Sequence, residues 1–140
     1  MANELPVVVV GIDGSEESGR ALRWGAEYVH LRGGIVHAIC VWAQPVQLGY
    51  RLPTPDRELE EHGQAMLDSA VTTARQEFPD VQLKQRLIRG HVVDELVEFS
   101  KQADLMVLGN KGHGAFTGML VGSVAMKVVH HATCPVLVVR

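Results

Sequence analysis

The sequence predicts one α/β domain in which a five-stranded parallel sheet lies between two layers of helices, a three-layer αβα sandwich. Three observations carry that expectation. Four short runs rich in β-branched residues, Val7 to Val10, Ile35 to Val41, Leu105 to Leu108 and Val136 to Val139, read as strands buried on both faces. Helical periodicities separate these runs and a fifth strand candidate, so the chain alternates βαβαβαβαβ, an order that calls for right-handed crossovers and parallel pairing. The length, 140 residues, suits a single domain spanning 1–140 and falls short of two ordinary ones.

Each element has a local reason. Ser15 followed by Glu16 and Glu17 reads as an N-cap with acids in the first turn, where the helix dipole favours negative charge. Leu22, Gly25, Ala26 and Val29 then share one face, and Gly33-Gly34 ends that helix. The second helix begins near Asp56, turns Leu59, Met66, Leu67, Ala70 and Ala74 inward, and stops at Phe78-Pro79. From Val81 to Ile88 apolar and polar residues alternate, the pattern of a half-exposed edge strand. The third helix, from about His91, is expected to bury Val92, Val93, Leu96, Val97 and Ala103. The fourth opens at Gly122-Ser123 and places Val124, Ala125, Val128 and Val129 on one face before Thr133-Cys134-Pro135.

Composition excludes several classes of function. A hydrophobic fraction of 46% with 21% charged residues is that of a folded domain. Thirteen Lys and Arg against sixteen Asp and Glu give a formal charge of −3, without the basic excess of a nucleic-acid binder. Aromatic residues make up only 5%, too few for a base-stacking platform. No apolar run approaches the ~18–20 residues of a membrane span, and the opening Met-Ala-Asn-Glu-Leu-Pro lacks the character of a signal peptide. Cys40 and Cys134 lie in apolar strand-like runs without metal-binding spacing and read as reduced thiols. A cytoplasmic protein without nucleic-acid or membrane partners is expected.

Two connections exceed what a simple link needs. One runs from Ala43 to Pro55 with three prolines, and the other from Gly109 to Val121. Loops of about a dozen residues in a compact domain are usually functional or disordered. Both follow strands, and in such folds ligands bind outside the carboxyl ends of the strands. Five of the 14 glycines fall between 109 and 122, so the glycine excess belongs to the second loop. It is neither a Walker A loop nor a dinucleotide fingerprint. Glycines let backbone N–H groups approach an anion, and a helix starting at Gly122-Ser123 adds free N–H groups and a favourable dipole. Composition alone leaves a phosphate cradle and a flexible loop with an ordinary N-cap equally open.

The spacing separates them. Gly109, two residues, Gly112, nine residues and Gly122-Ser123 resemble the G-2x-G-9x-G(S/T) nucleotide motif of the universal stress protein family. The opening Val-Val-Val-Gly-Ile-Asp-Gly-Ser, the junction at Gly90 and the closing Cys134-Pro135-Val136-Leu137-Val138-Val139 are similar to other parts of that family, so the resemblance covers the whole chain. It implies a Rossmann-like fold with strand order 3-2-1-4-5 and binding of ATP with Mg²⁺. Amides around Gly109, Gly112, Gly122, Ser123 and Val124 would hold phosphates, with Asn110, Lys111, His113 and Gly114 lining the same loop. Val41 would offer backbone contacts to adenine and Gly11 a close backbone approach. Asp13 would face ribose hydroxyls or a phosphate-held Mg²⁺; its bland alternative is a turn residue capping its own loop. The chain departs from the family in having Met119 where an arginine is common, and in lacking a proline after Gly90.

The resemblance also implies a homodimer formed through the last strand, 135–139, whose apolar edge is exposed to pairing. A nucleotide-dependent stress-response regulator follows, with no catalytic residue assigned and at most slow ATP hydrolysis, because no motif places Asp13 or His113 to orient an attacking water. The alternative is a dimeric interaction module that does not use nucleotide.

Overall fold

The computed structural model describes residues 5–44, 46–47, 49–51, 54–112 and 121–140. In chain order the elements are β1 (Val7–Gly11), α1 (Glu16–Arg32), β2 (Ile35–Trp42), β3 (Val46–Gln47), β4 (Tyr50–Arg51), α2 (Asp56–Glu77), β5 (Gln82–Arg89), α3 (Val92–Ser100), β6 (Leu105–Gly109), α4 (Ser123–His131) and β7 (Val136–Val139). Five strands form one parallel sheet in the order β5-β2-β1-β6-β7, which is 3-2-1-4-5 when those five alone are counted.

β1 is central because it is apolar on both faces. Val8 and Val10 join Ala21, Leu22 and Val29 of α1 and Leu67 and Val71 of α2 in one core layer. Val9 joins Ile39, Leu96, Met106, Leu108 and Val128 beneath α3 and α4 in the other. The Ser15 N-cap is as expected: its hydroxyl accepts the Ser18 N–H at 3.1 Å, and Gly33 closes the helix at φ +80°. β5 is a guarded edge. Gln82, Lys84, Arg86 and Arg89 are exposed, Asp68 of α2 accepts from the Gln85 amide, and Arg75 donates to the Leu83 carbonyl.

Several expectations change. The proline-bearing connection contains a small antiparallel hairpin, with Val46 opposite Arg51 and Gln47 opposite Tyr50, turning at Gly49 with φ +81°. α2 buries Gly63 and Val71 rather than Leu59. Val92, Val124 and Val129 are exposed (36, 37 and 49%) although their helical spacing matches a core stripe. β7 is not covered on both faces, since Leu137 is 37% exposed. Neither Cys40 nor Cys134 is in a disulfide; burial, reinforced by the charge of Asp13, pushes the Cys40 thiol up to about 11. Among the described residues no helix is long and apolar enough to cross a membrane.

Candidate functional site

A cavity of about 420 Å³ opens at the carboxyl ends of β1, β2 and β6. It exists because the central strand ends first. β1 leaves the sheet after Gly11, which is level with Ile39 of β2, whereas β2 continues to Trp42. The last rung is Ile12 N–H to the Ile39 carbonyl at 2.8 Å. Backbone groups of odd-numbered β2 residues point toward β1, as the Ile35 N–H bond to Pro6 also shows, while Trp42 points the other way and accepts from Gly90. Val41 therefore turns its N–H and C=O into the gap that β1 vacates, and its side chain lines the cavity. Gly11 and Ile12 form the adjoining floor. The absent side chain at Gly11 leaves room for Leu108 Cδ2, 2.9 Å from where a Cβ would stand.

Asp13 sits where the chain turns from β1 into α1. Its Oδ1 accepts from both the Ser15 N–H (2.9 Å) and the Ser15 hydroxyl (2.5 Å), and its own N–H points at Ser18 Oγ at 3.3 Å. This is the self-capping turn that local chemistry favours, and it leaves the carboxylate on the cavity wall. Its Oδ2 occupies the space in which a Cβ on Gly112 would lie. The turn-capping role expected of Asp13 is therefore present, at a residue that also lines the cavity.

The loop after β6 is anchored by its backbone. Asn110 N–H donates to Val139 (2.7 Å), and the Asn110 carbonyl accepts from Gly122 (2.5 Å), which brings the start of α4 back over the strand it came from. The Gly122 N–H is therefore engaged by the loop's own backbone in this structure. The first intrahelical bond of α4 runs from Met126 N–H to the Gly122 carbonyl (3.0 Å). The amides of Ser123, Val124 and Ala125 precede it, and the first turn of any helix leaves such donors without an intrahelical partner. All three residues line the cavity, as do Gly109, Asn110, Lys111, Gly112 and Gly122. Gly109 is glycine for a reason outside the cavity. A Cβ there would stand 2.7 Å from Glu17 Cβ and 2.8 Å from the Glu17 carbonyl carbon, because α1 crosses directly above it.

Ten of the twelve residues proposed from sequence meet at this cavity, and His113 and Gly114 lie outside the described residues. Sequence reasoning missed the apolar wall: Ile39 and Leu108 from the strands, Val92 and Leu96 one turn apart on α3. An apolar cavity wall and a core stripe share the same helical period, so no pattern could have told them apart. Trp42 lies outside the cavity with the Arg89 guanidinium over its ring, and Trp24 is 53% exposed. Among the described residues no three His, Cys, Asp or Glu side chains cluster to hold a metal.

A cavity with an apolar wall, a helix N-terminus at one end and two open strand-edge groups at the other suits a small ligand carrying both an anion and a flat polar ring. A universal stress protein of Mycolicibacterium smegmatis is 39% identical over 138 residues, covering 99% of this chain and 46% of that protein. The chain thus spans about half the length of the curated relatives it matches. A universal stress protein solved in complex with cAMP superposes with a TM-score of 0.75 at 26% identity, covering 99% of this chain and 98% of that one. A universal stress protein from Archaeoglobus fulgidus in complex with dAMP gives 0.68 at 28% identity, covering 97% and 98%. Residues 5–140 match the description of the universal stress protein family, and the chain belongs to that family.

Proposed function

We propose that the protein binds ATP, with Mg²⁺ carried on its phosphates, and that the nucleotide state controls its assembly or its choice of protein partner. One observation carries the reading. β2 alternation turns the Val41 N–H and C=O to the side that β1 vacates, and in the sheet order β2-β1-β6 the α4 amides of Ser123, Val124 and Ala125 lie across that gap. A neighbouring donor and acceptor match the N1 acceptor and N6 donor of adenine; hypoxanthine and guanine present the reverse, an N1 donor and an O6 acceptor. Relatives solved with cAMP and dAMP support the choice of adenine. The phosphates would lie against the α4 amides with the Ser123 hydroxyl and Lys111 nearby. Mg²⁺ commonly takes one or two carboxylates and completes its shell with phosphate and water, so Asp13 fits as a lone protein carboxylate.

Calorimetric titration with ATP and ITP tests this directly. ATP is expected to bind at least ~10-fold tighter, about 1.4 kcal/mol. Equal affinities would remove the role of Val41. No heat from either ligand would leave a nucleotide-independent interaction module.

A dimer through β7 belongs to the same reading. β7 pairs only with β6 among the described strands, and its run Val136–Val139 carries no charge to discourage further pairing. Apolar side chains flank it: Met126 and Val129 of α4 are each 49% exposed. On the other face Arg20 Nε donates to the Arg140 carbonyl (2.9 Å), and Trp24 follows one turn along α1. Carbonyls of Pro135 and Val139 accept from β6, so the backbone groups of Val136 and Val138 point outward. Val138→Pro removes one outward N–H and leaves the β6 ladder intact. At micromolar concentration the wild type is expected to sediment at twice the chain mass, and Val138→Pro at the chain mass with unchanged circular dichroism. A monomeric wild type would end the dimer proposal.

A further inference from the structure

Beyond Ile39, β2 is supported from one side only. β1 has left the sheet, so the strand hydrogen bonds that hold this stretch come from the β5 side. There the Gly90 N–H donates to the Trp42 carbonyl at 2.9 Å. The Arg89 guanidinium lies over the Trp42 ring, 5.3 Å from its centroid. Arg89 Nη1 is 3.0 Å from Asp56 Oδ2 at the first turn of α2. Asp56 Oδ1 in turn accepts from Gln44 Nε2 at 2.9 Å, and the same amide donates to the Thr54 carbonyl at 2.5 Å. The end of β2, the end of β5 and the start of α2 are joined by one chain of stacking, ion pairing and hydrogen bonding.

Stability alone is a poor reason for this cluster. The Arg89 and Asp56 side chains are 52% and 44% exposed, and ion pairs so open to water contribute ~1 kcal/mol or less. Its position is more informative. Trp42 and Gln44 bracket the point where the chain leaves the sheet, immediately after the residue that presents a donor and an acceptor to the cavity. None of Trp42, Gln44, Asp56 and Arg89 lines the cavity. Two hydrogen bonds from one residue to a base are sensitive to a few tenths of an ångström, so strand-end position controls base discrimination more than total binding.

We propose that Arg89, Asp56 and Gln44 are positioning residues for base selection, a clasp that holds the Val41 backbone pair in register with the base. This rests on the adenine-nucleotide reading above. Loosening the clasp lets the strand end shift, so that a base with the opposite donor and acceptor order is penalised less.

The test compares ATP and ITP binding by calorimetry in the wild type, Arg89→Ala, Arg89→Lys and Asp56→Asn, with thermal unfolding of each. The expected result is a three- to tenfold narrowing of the ATP/ITP preference in Arg89→Ala and Asp56→Asn, with Tm within about 3 °C of wild type. Arg89→Lys keeps the charge but not the planar stack and is expected to fall between. A purely structural role would weaken both nucleotides together and leave their ratio unchanged; that outcome overturns the proposal, as does an unaltered ratio with unaltered affinities. A wild type that binds neither nucleotide, or both equally, overturns the adenine reading itself, a failure distinguishable from that of the clasp.

Discussion

Gly112→Ala is expected to weaken ATP binding by at least ~10-fold while leaving the fold intact. The new methyl group would overlap Asp13 Oδ2. Asp13 cannot yield without giving up its two bonds to Ser15, which set the entry of α1. If Asp13 holds, the Gly112 backbone must retreat, carrying Lys111 and the mouth of the cavity with it. Both responses disturb the end of the site where the phosphates are proposed to lie. Gly112 is exposed and belongs to no regular element, so Tm should move by no more than about 3 °C. Because the clash is between two side chains, Asp13→Ala in the same background should restore the space, and a double-mutant cycle should show strong coupling. Unchanged affinity in Gly112→Ala would remove this loop from the phosphate end of the site. Gly122→Ala is the milder change: its φ of −72° suits alanine, and the nearest atom to a new Cβ is the Asn110 carbonyl oxygen at 3.3 Å.

Gly109→Ala is expected to act on stability instead. Replacing glycine ordinarily stabilises a chain by ~0.4–1 kcal/mol through the unfolded state. Here a Cβ would press on Glu17 at 2.7 and 2.8 Å, partly on main chain, so relief requires α1 to lift away from β6. Overpacking of this kind costs roughly 1–3 kcal/mol, and the backbone contact places it at the upper end. A net loss of about 2 kcal/mol, or a fall of roughly 5–10 °C in Tm for a domain of this size, should appear in thermal or urea unfolding. ATP binding should weaken as well, since Asp13 and Ser18 move with the first turn of α1. A stability equal to wild type would mean that the helix sits farther from the strand than the geometry states.

The sheet was legible because its signals are local. Valine runs mark strands covered on both faces, and the Gln82–Arg89 alternation marks an edge. The spacing of Gly109, Gly112 and Gly122 pointed to the end of the sheet where the cavity opens. What escaped was relational. Val92 and Val124 obey the helical period of a core, yet face the cavity mouth, and only the early end of β1 explains why. Gly109 was read as a ligand-facing glycine, whereas its missing side chain answers to Glu17, 92 positions earlier in the chain. The hairpin of β3 and β4 was hidden among prolines, which signal a turn without telling whether short strands flank it.

The early end of β1 also bears on how such a site can change over time. If the base is read by the main chain of residue 41, almost any side chain there preserves the reading. Drift at that position would pass without functional penalty and leave no record in the sequence. Proline is the exception, because it removes the donor and keeps the acceptor. A homologue could therefore lose its preference for adenine through proline at 41, or through slackening of a cluster that never touches the ligand, with every glycine of its loop still in place.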